Sequence, residues 1–215
     1  MNPFVLYGLP GWGSALIEAQ LAWYDLPMDL RDSGDLFASA EARDRLRPLN
    51  PLTQVPTLVL PDERGGTVMT ESAAITLHLA DLTGRDDLVP GPQAPERAAF
   101  LRWLVFLVAN VYPTFTYADV PTRFVKDEAA SKAFRAEVDA YAQRLWLALE
   151  SATGAPWFLG ERLSAIDIYL AVMTHWRPGR AWFAEHAPRV LAAAQRAAEL
   201  PALAPVMARN FKPAG

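Results

Sequence analysis

Every strand-like run in this chain falls before residue 70, and everything after residue 95 reads as helix. Phe4-Val5-Leu6-Tyr7 is a short apolar run closed by Gly8, Pro10 and Gly11, the pattern of a strand entering a loop. From Ser14 the spacing turns helical, with Leu16, Ala19 and Trp23 on one face and Ile17, Leu21 and Tyr24 beside it. Leu26-Pro27 stops that helix. Met28-Asp29-Leu30 reads as a second strand, and Glu41 to Leu46 as a short helix that ends before Pro48.

Two further strands, Thr57 to Leu60 and Thr67 to Met69, flank the hairpin sequence PDERGG. After Thr70 the positions Ile75, Leu79 and Leu82 mark an amphipathic helix ended by Gly84. A helix between two strands implies a parallel pair, and a hairpin implies an antiparallel one, so the sheet is mixed. The fold class expected is α/β plus all-α. A domain at 1–83 carries a mixed four-stranded sheet, GRDDLVPGPQAP at 84–95 is a linker, and 96–215 is a helical bundle domain. In the latter, Phe134, Val138, Tyr141, Leu145 and Leu149 form an apolar stripe. LSAIDI at 163–168 reads as a capped helix start, with Asp167 reaching back to Ser164.

Composition narrows the chemistry. The chain has no cysteine, which excludes disulfides, zinc–cysteine sites and a protein thiol nucleophile. Its three histidines, His78, His175 and His186, have no metal-ligand spacing, so no metal is expected. A net charge of −4 does not suggest nucleic acid or an acidic membrane as partner. MNPFVLYG has no basic region followed by a long apolar one. Trp103 to Ala109, the most apolar run, is far shorter than the roughly 20 residues of a membrane span. A cytoplasmic location is expected.

Three turn points carry candidate chemistry. Pro56 heads an apparent strand, where a cis Val55–Pro56 bond would leave the Val55 N–H and C=O free to pair with an extended peptide; the plain alternative is a trans proline at a strand start. Glu71-Ser72 opens a helix, where free N–H groups collect anions and Glu71 could hold an ammonium group; the plain alternative is capping by Thr70 or Ser72. Ser14 follows the loop GLPGWG at another helix start, where a docked thiol would meet its hydroxyl and free N–H groups, lowering the thiol pKa; it too can be a simple cap.

The domain order, NPLTQVPTL, TESAAI and LSAIDI together resemble the cytosolic glutathione transferases of bacterial type, across essentially the whole chain. The resemblance implies a thioredoxin-like first domain, a cis Pro56, and glutathione as co-substrate. It makes Val55 the backbone partner of the cysteinyl part, sets Thr53 and Gln54 next to the cysteinyl-glycyl end, and gives the γ-glutamyl end to Glu71 and Ser72. For activation of the thiol it offers Ser14 or Tyr7, while Gly13 falls where the beta-type branch would place a cysteine. It also implies a homodimer and a role in detoxification.

For the second substrate, a small apolar electrophile, the resemblance points between the domains. Trp103, Phe106 and Asn110 share one helical face there, with Trp12, Tyr112, Tyr117 and Trp176 as wall residues and Arg177 beside them. Trp103 and Phe106 can equally be core, and Asn110 can equally satisfy a buried backbone group. The expected activity is glutathione S-transferase. Isomerase, lyase or peroxidase chemistry on the same sulfur, or a non-catalytic glutathione binder, are the alternatives.

Overall fold

A computed structural model describes residues 2–211; Met1 and residues 212–215, the outer ends of the two domains expected from the sequence, lie outside them. The chain divides into two compact units. One holds the residues up to Val89 together with those from Arg196 on, and the other is Pro90–Gln195.

In the first unit the order is β1 (Phe4–Gly8), α1 (Ala15–Trp23), β2 (Met28–Asp32), α2 (Ala40–Leu46), β3 (Thr57–Val59), β4 (Val68–Met69) and α3 (Ser72–Thr83). The four strands lie in the order β2-β1-β3-β4. β1 runs parallel to β2 because α1 carries the chain back between them. β3 runs antiparallel to β1 and to β4. The β3–β4 hairpin turns through a 3₁₀ turn at Asp62–Arg64. Gly65 and Gly66 follow at φ 85° and 58°, values that glycine adopts without a Cβ penalty.

Side chains alternate across β1. Phe4 and Leu6 are fully buried in the main core with Leu16, Ile17 and Leu21 of α1 and Ile75 and Leu79 of α3. Tyr7 takes the other face, against a second cluster of Leu36, Ala42, Leu46 and Val55 that Trp12 also joins. α1 is more deeply buried than a one-face pattern implies, since every residue from Ala15 to Leu21 is buried, Glu18 and Gln20 included. The segment after α3 stays with this unit: Trp23 Nε1 donates to Asp87 at 2.7 Å, and Leu88 and Val89 are buried.

The second unit contains α4 (Arg97–Phe106), a π-helical turn at Leu107–Val111, α5 (Tyr112–Ala118), α6 (Glu128–Ala152), α7 (Ala165–Met173) and α8 (Arg180–His186). α9 (Pro188–Ala198) leads back to the first unit, whose last helix is α10 (Ala204–Asn210). The π turn precedes Pro113, which has no N–H to give the preceding turn, and a wider turn accommodates that gap. Helix is continuous over Arg97–Ala118, so 22 residues are long and apolar enough to cross a membrane by length and composition. The run at 103–109 alone does not reach that length; the helix around it does. Phe100, Leu104, Leu107, Val111 and Phe115 of that helix nevertheless face the core of the unit.

The α6 stripe is also shifted. Tyr141 is 43% exposed, while Ala142 and Trp146 are buried, because Trp146 fills the core against Phe183 with ring centroids 4.8 Å apart. α7 is buried along its whole length. At its start the fully buried Asp167 accepts hydrogen bonds from the N–H of Ser164 (2.9 Å), the hydroxyl of Ser164 (3.2 Å) and the N–H of Phe158 (2.8 Å). Burial still pushes its carboxyl up to about 6, against the lowering effect of those donors.

Candidate functional site

Strand register brings the three turn points to one end of the sheet. Tyr7 pairs with Thr57, and Leu58 with Met69, in antiparallel ladders. The exit of β1, the entry of β3 and the exit of β4 therefore lie side by side. Gly8 to Ser14, Val55-Pro56 and Glu71-Ser72 are the segments that continue from them.

The entry to β3 is organised by a residue that sequence reasoning passed over. Asn50 is buried and donates from Nδ2 to the Gln54 carbonyl (2.9 Å) and to Thr57 Oγ1 (3.1 Å). Its Oδ1 accepts from the Leu52 N–H at 3.0 Å, and the Thr57 hydroxyl donates to the same Gln54 carbonyl at 2.8 Å. The signal was present in the quoted Asn-Pro motif: a polar side chain next to a proline turn must serve the loop when it is buried. Thr53 takes a left-handed conformation at φ 52° within this loop, and the Val55–Pro56 bond is cis. The Val55 side chain is packed in the cluster shared by Tyr7 and Trp12. Its N–H and C=O make no hydrogen bond to another described residue.

At the start of α3 the N-cap position is Glu71, and no side chain among the described residues caps the helix. Neither Thr70 nor Ser72 performs the capping that the sequence allowed. The N–H groups of Ser72 and Ala73 have no partner among the described residues, while the Ser72 carbonyl accepts from the Thr76 hydroxyl at 2.8 Å. Ser72 is buried, and Glu71 is exposed with φ 62° and ψ 99°. That is a costly conformation for a residue with a Cβ, of the kind that collects at ligand-binding turns.

The two thiol-activating candidates differ in placement. Tyr7 is half-buried, and its hydroxyl accepts from Arg31 Nη1 at 3.5 Å. Ser14 is 4% exposed and its hydroxyl donates to the Leu9 carbonyl at 3.3 Å. It lies against Gly8, where any Cβ would overlap the Ser14 side chain. Thus the hydroxyl turns back on its own loop. The N–H groups of Gly13 and Ser14 are without partners among the described residues, since the first helical bonds run from Ala15 to Trp12 and from Ile17 to Ser14. Trp12 stacks on Phe37 with centroids 4.7 Å apart.

The aromatic residues expected to line an electrophile pocket in the helical unit do not form one cluster there. Trp103 meets Phe106 and Phe158 edge-on at 5.1 and 5.6 Å. Tyr112, Phe115 and Trp176 form a second group, with Phe115 and Trp176 at 5.1 Å. Tyr117 stands apart against Phe124 at 5.2 Å, and both are over 40% exposed. Asn110 lies within the π turn. Beside the second group is a cavity of about 250 Å³ lined by Thr114, Phe115, Asp139, Gln143, Arg177 and Pro178. Arg177 is held there between Asp119 (2.6 Å) and Asp139. Sequence spacing pointed to neither Phe158 nor the two aspartates, because their approach is long-range.

The first unit thus combines a mixed sheet, a cis proline at a strand entry and an open helix start beside it, and a helical unit follows it in the chain. The family model for the glutathione S-transferase N-terminal domain matches residues 18–82. The chain is 42% identical over 206 residues to the uncharacterized GST-like protein YncG of Escherichia coli strain K12, covering 95% of this chain and 97% of that protein. It is 28% identical over 172 residues to the glutathione S-transferase GST-4.5 of Xanthomonas campestris pv. campestris, covering 80% and 81% respectively. A glutathione transferase homologue from Sulfitobacter, crystallised with bound glutathione, superposes with a TM-score of 0.84 at 25% identity, covering 96% of this chain and 97% of that one. The chain belongs to the glutathione S-transferase family. Its first domain is thioredoxin-like, and the helical region completes the family fold.

Proposed function

We propose that this protein binds glutathione as its thiolate at the end of its sheet and conjugates it to a small apolar electrophile: a new bond forms from the sulfur to the electrophilic carbon, which takes up a proton after addition or releases its leaving group after displacement. The observation that carries the reading is the pairing of two unsatisfied features at one sheet end: the free Val55 N–H and C=O, and the uncapped start of α3 at Glu71-Ser72. An extended tripeptide fits both. Its cysteinyl backbone pairs with Val55 as an added strand. Its γ-glutamyl carboxylate takes the Ser72 hydroxyl and the free N–H groups, and its ammonium takes the Glu71 carboxylate. Thr53 and Gln54 lie along the cysteinyl-glycyl end, next to Pro56.

The sulfur is then directed to the β1–α1 loop. Ser14 supplies its hydroxyl by giving up the Leu9 carbonyl, and the Gly13 and Ser14 N–H groups add to it; Tyr7 is the alternative donor. All stabilise a thiolate over a thiol, which lowers the thiol pKa and makes a separate general base unnecessary. For the electrophile, Trp12 offers an aromatic wall in the first unit. In the second, Trp103, Phe106, Tyr112, Tyr117 and Trp176 offer apolar surface and Asn110 a polar handle. A cytoplasmic homodimer acting in detoxification is part of the same reading.

One observation favours a second reading. The Ser14 hydroxyl is already engaged with Leu9, as suits a glutathione-binding protein without strong thiol activation. Calorimetry with glutathione, followed by turnover on a panel of aryl halides, enones and peroxides, separates the two. Binding with conjugation supports the transferase, and binding with no turnover supports the second reading. Absence of binding removes both.

A further inference from the structure

One side chain ties the end of α10 to the loop between β1 and α1. The amide of Asn210 uses all its hydrogen-bonding groups at once. Its Oδ1 accepts from the Gly11 N–H at 3.0 Å, and its Nδ2 donates to Glu18 Oε2 at 2.9 Å and to the Val206 carbonyl at 2.9 Å. A flipped amide would set oxygen against two acceptors and nitrogen against a donor, so the partners fix its orientation.

The partners are themselves unusual. Glu18 is 5% exposed on a helix whose neighbouring residues are core, and it pairs with Arg209, the residue beside Asn210. A buried carboxylate is costly and is held only by a partnered geometry. Gly11 sits at φ +81°, and a Cβ there would lie 3.4 Å from the Asn210 carbonyl. Loop and α10 are thus in direct contact, at a backbone conformation of Gly11 that glycine adopts without a Cβ penalty.

We propose that Asn210 is a positioning residue, which locks Gly11 to Glu18 and thereby sets the geometry of the Gly11–Ser14 turn whose free N–H groups, on the transferase reading above, receive the sulfur. The tie needs an amide. Aspartate has the same size and still accepts from Gly11, but it sets a second carboxylate against Glu18. Alanine removes both ends of the link.

The test uses the full chain with Asn210→Asp, Asn210→Ala and, as a control that trims α10 packing while keeping the backbone carbonyl that accepts from the amide, Val206→Ala. Amide hydrogen exchange at Gly11 and Trp12, the bonded N–H groups of this turn, measured without ligand, is expected to quicken about tenfold or more in both Asn210 variants and to stay near wild type in Val206→Ala. With glutathione bound, the thiol pKa is expected to rise by about one unit in the Asn210 variants, leaving about tenfold less thiolate below that pKa. Affinity for S-methylglutathione should stay within about threefold, since Val55 and Ser72 are untouched. Wild-type exchange rates in the Asn210 variants overturn the inference, as does faster exchange with an unmoved thiol pKa. If exchange quickens but the wild-type protein binds no glutathione, the tie is upheld and the transferase reading alone fails.

Discussion

Asn50 donates to the carbonyl of Gln54 at 2.9 Å and so holds the turn that presents Val55. The side chain is buried and makes three hydrogen bonds within eight residues of chain. Removing it leaves the Gln54 carbonyl and the Leu52 N–H short of partners. Asn50→Ala is expected to lower the unfolding free energy by about 2–3 kcal/mol and to weaken glutathione binding, measured by urea titration and calorimetry. A fully stable variant with unchanged binding would show that the turn holds itself.

Ser72 stands at an open helix start, so its loss should affect the ligand more than the fold. Ser72→Ala is expected to weaken glutathione about tenfold while the melting temperature moves by no more than a few degrees. Equal affinity in the two proteins would take the γ-glutamyl group away from this turn.

Glu71 pays for its position with a φ of 62°. Glycine adopts that conformation without the Cβ clash, so Glu71→Gly should stabilise the protein by about 1 kcal/mol despite its added backbone freedom. The same change should cost glutathione affinity about tenfold, because it removes the carboxylate that we propose pairs with the ammonium. A gain in stability with no loss of affinity would leave the strained residue without its proposed role.

A half-buried histidine and a buried carboxyl should oppose one another on acidification. Burial, aided by the positive charge of Arg180, pushes His175 down to about 4. Between pH 6.5 and 4 the unfolded chain holds a proton there that the native state refuses, so stability from His175 is intact above pH 6.5 and lost as pH falls through 4. Asp167 runs the other way. Its carboxyl, raised to about 6, binds a proton in the native state first, so its contribution is full below pH 3.8 and lost as pH rises through 6. His175→Gln should therefore lose about 1–2 kcal/mol less than wild type between pH 7 and 4.5, after discounting for its partial exposure. Asp167→Asn should lose more than wild type over the same range. Parallel pH profiles from urea titrations would contradict both assignments.

The order of elements was legible because local patterns decide it: apolar runs closed by Gly and Pro, helical spacing, and a Pro-Asp-Gly-Gly turn. Residues 57–60 and 67–69 show this well, since the hairpin they imply is the β3–β4 pair. The capped start at Ser164 was legible for the same reason, its partner being three residues away. What the sequence hid depends on distant contacts. Ser14 reads as an open hydroxyl until the Leu9 carbonyl is seen beside it. Glu18 is held by Asn210, which lies 192 positions on, and by Arg209 beside it, so no local spacing marks it as buried. The π turn at 107–111 has no pattern of its own beyond Pro113 following it.

The most direct test is a crystal structure grown in saturating glutathione. The account predicts tripeptide density along the Val55 edge, with both Val55 backbone groups paired to the cysteinyl unit, the γ-glutamyl carboxylate on Ser72, and the sulfur at the Gly13–Ser14 turn. Density elsewhere, or an unoccupied edge at saturation, would contradict it.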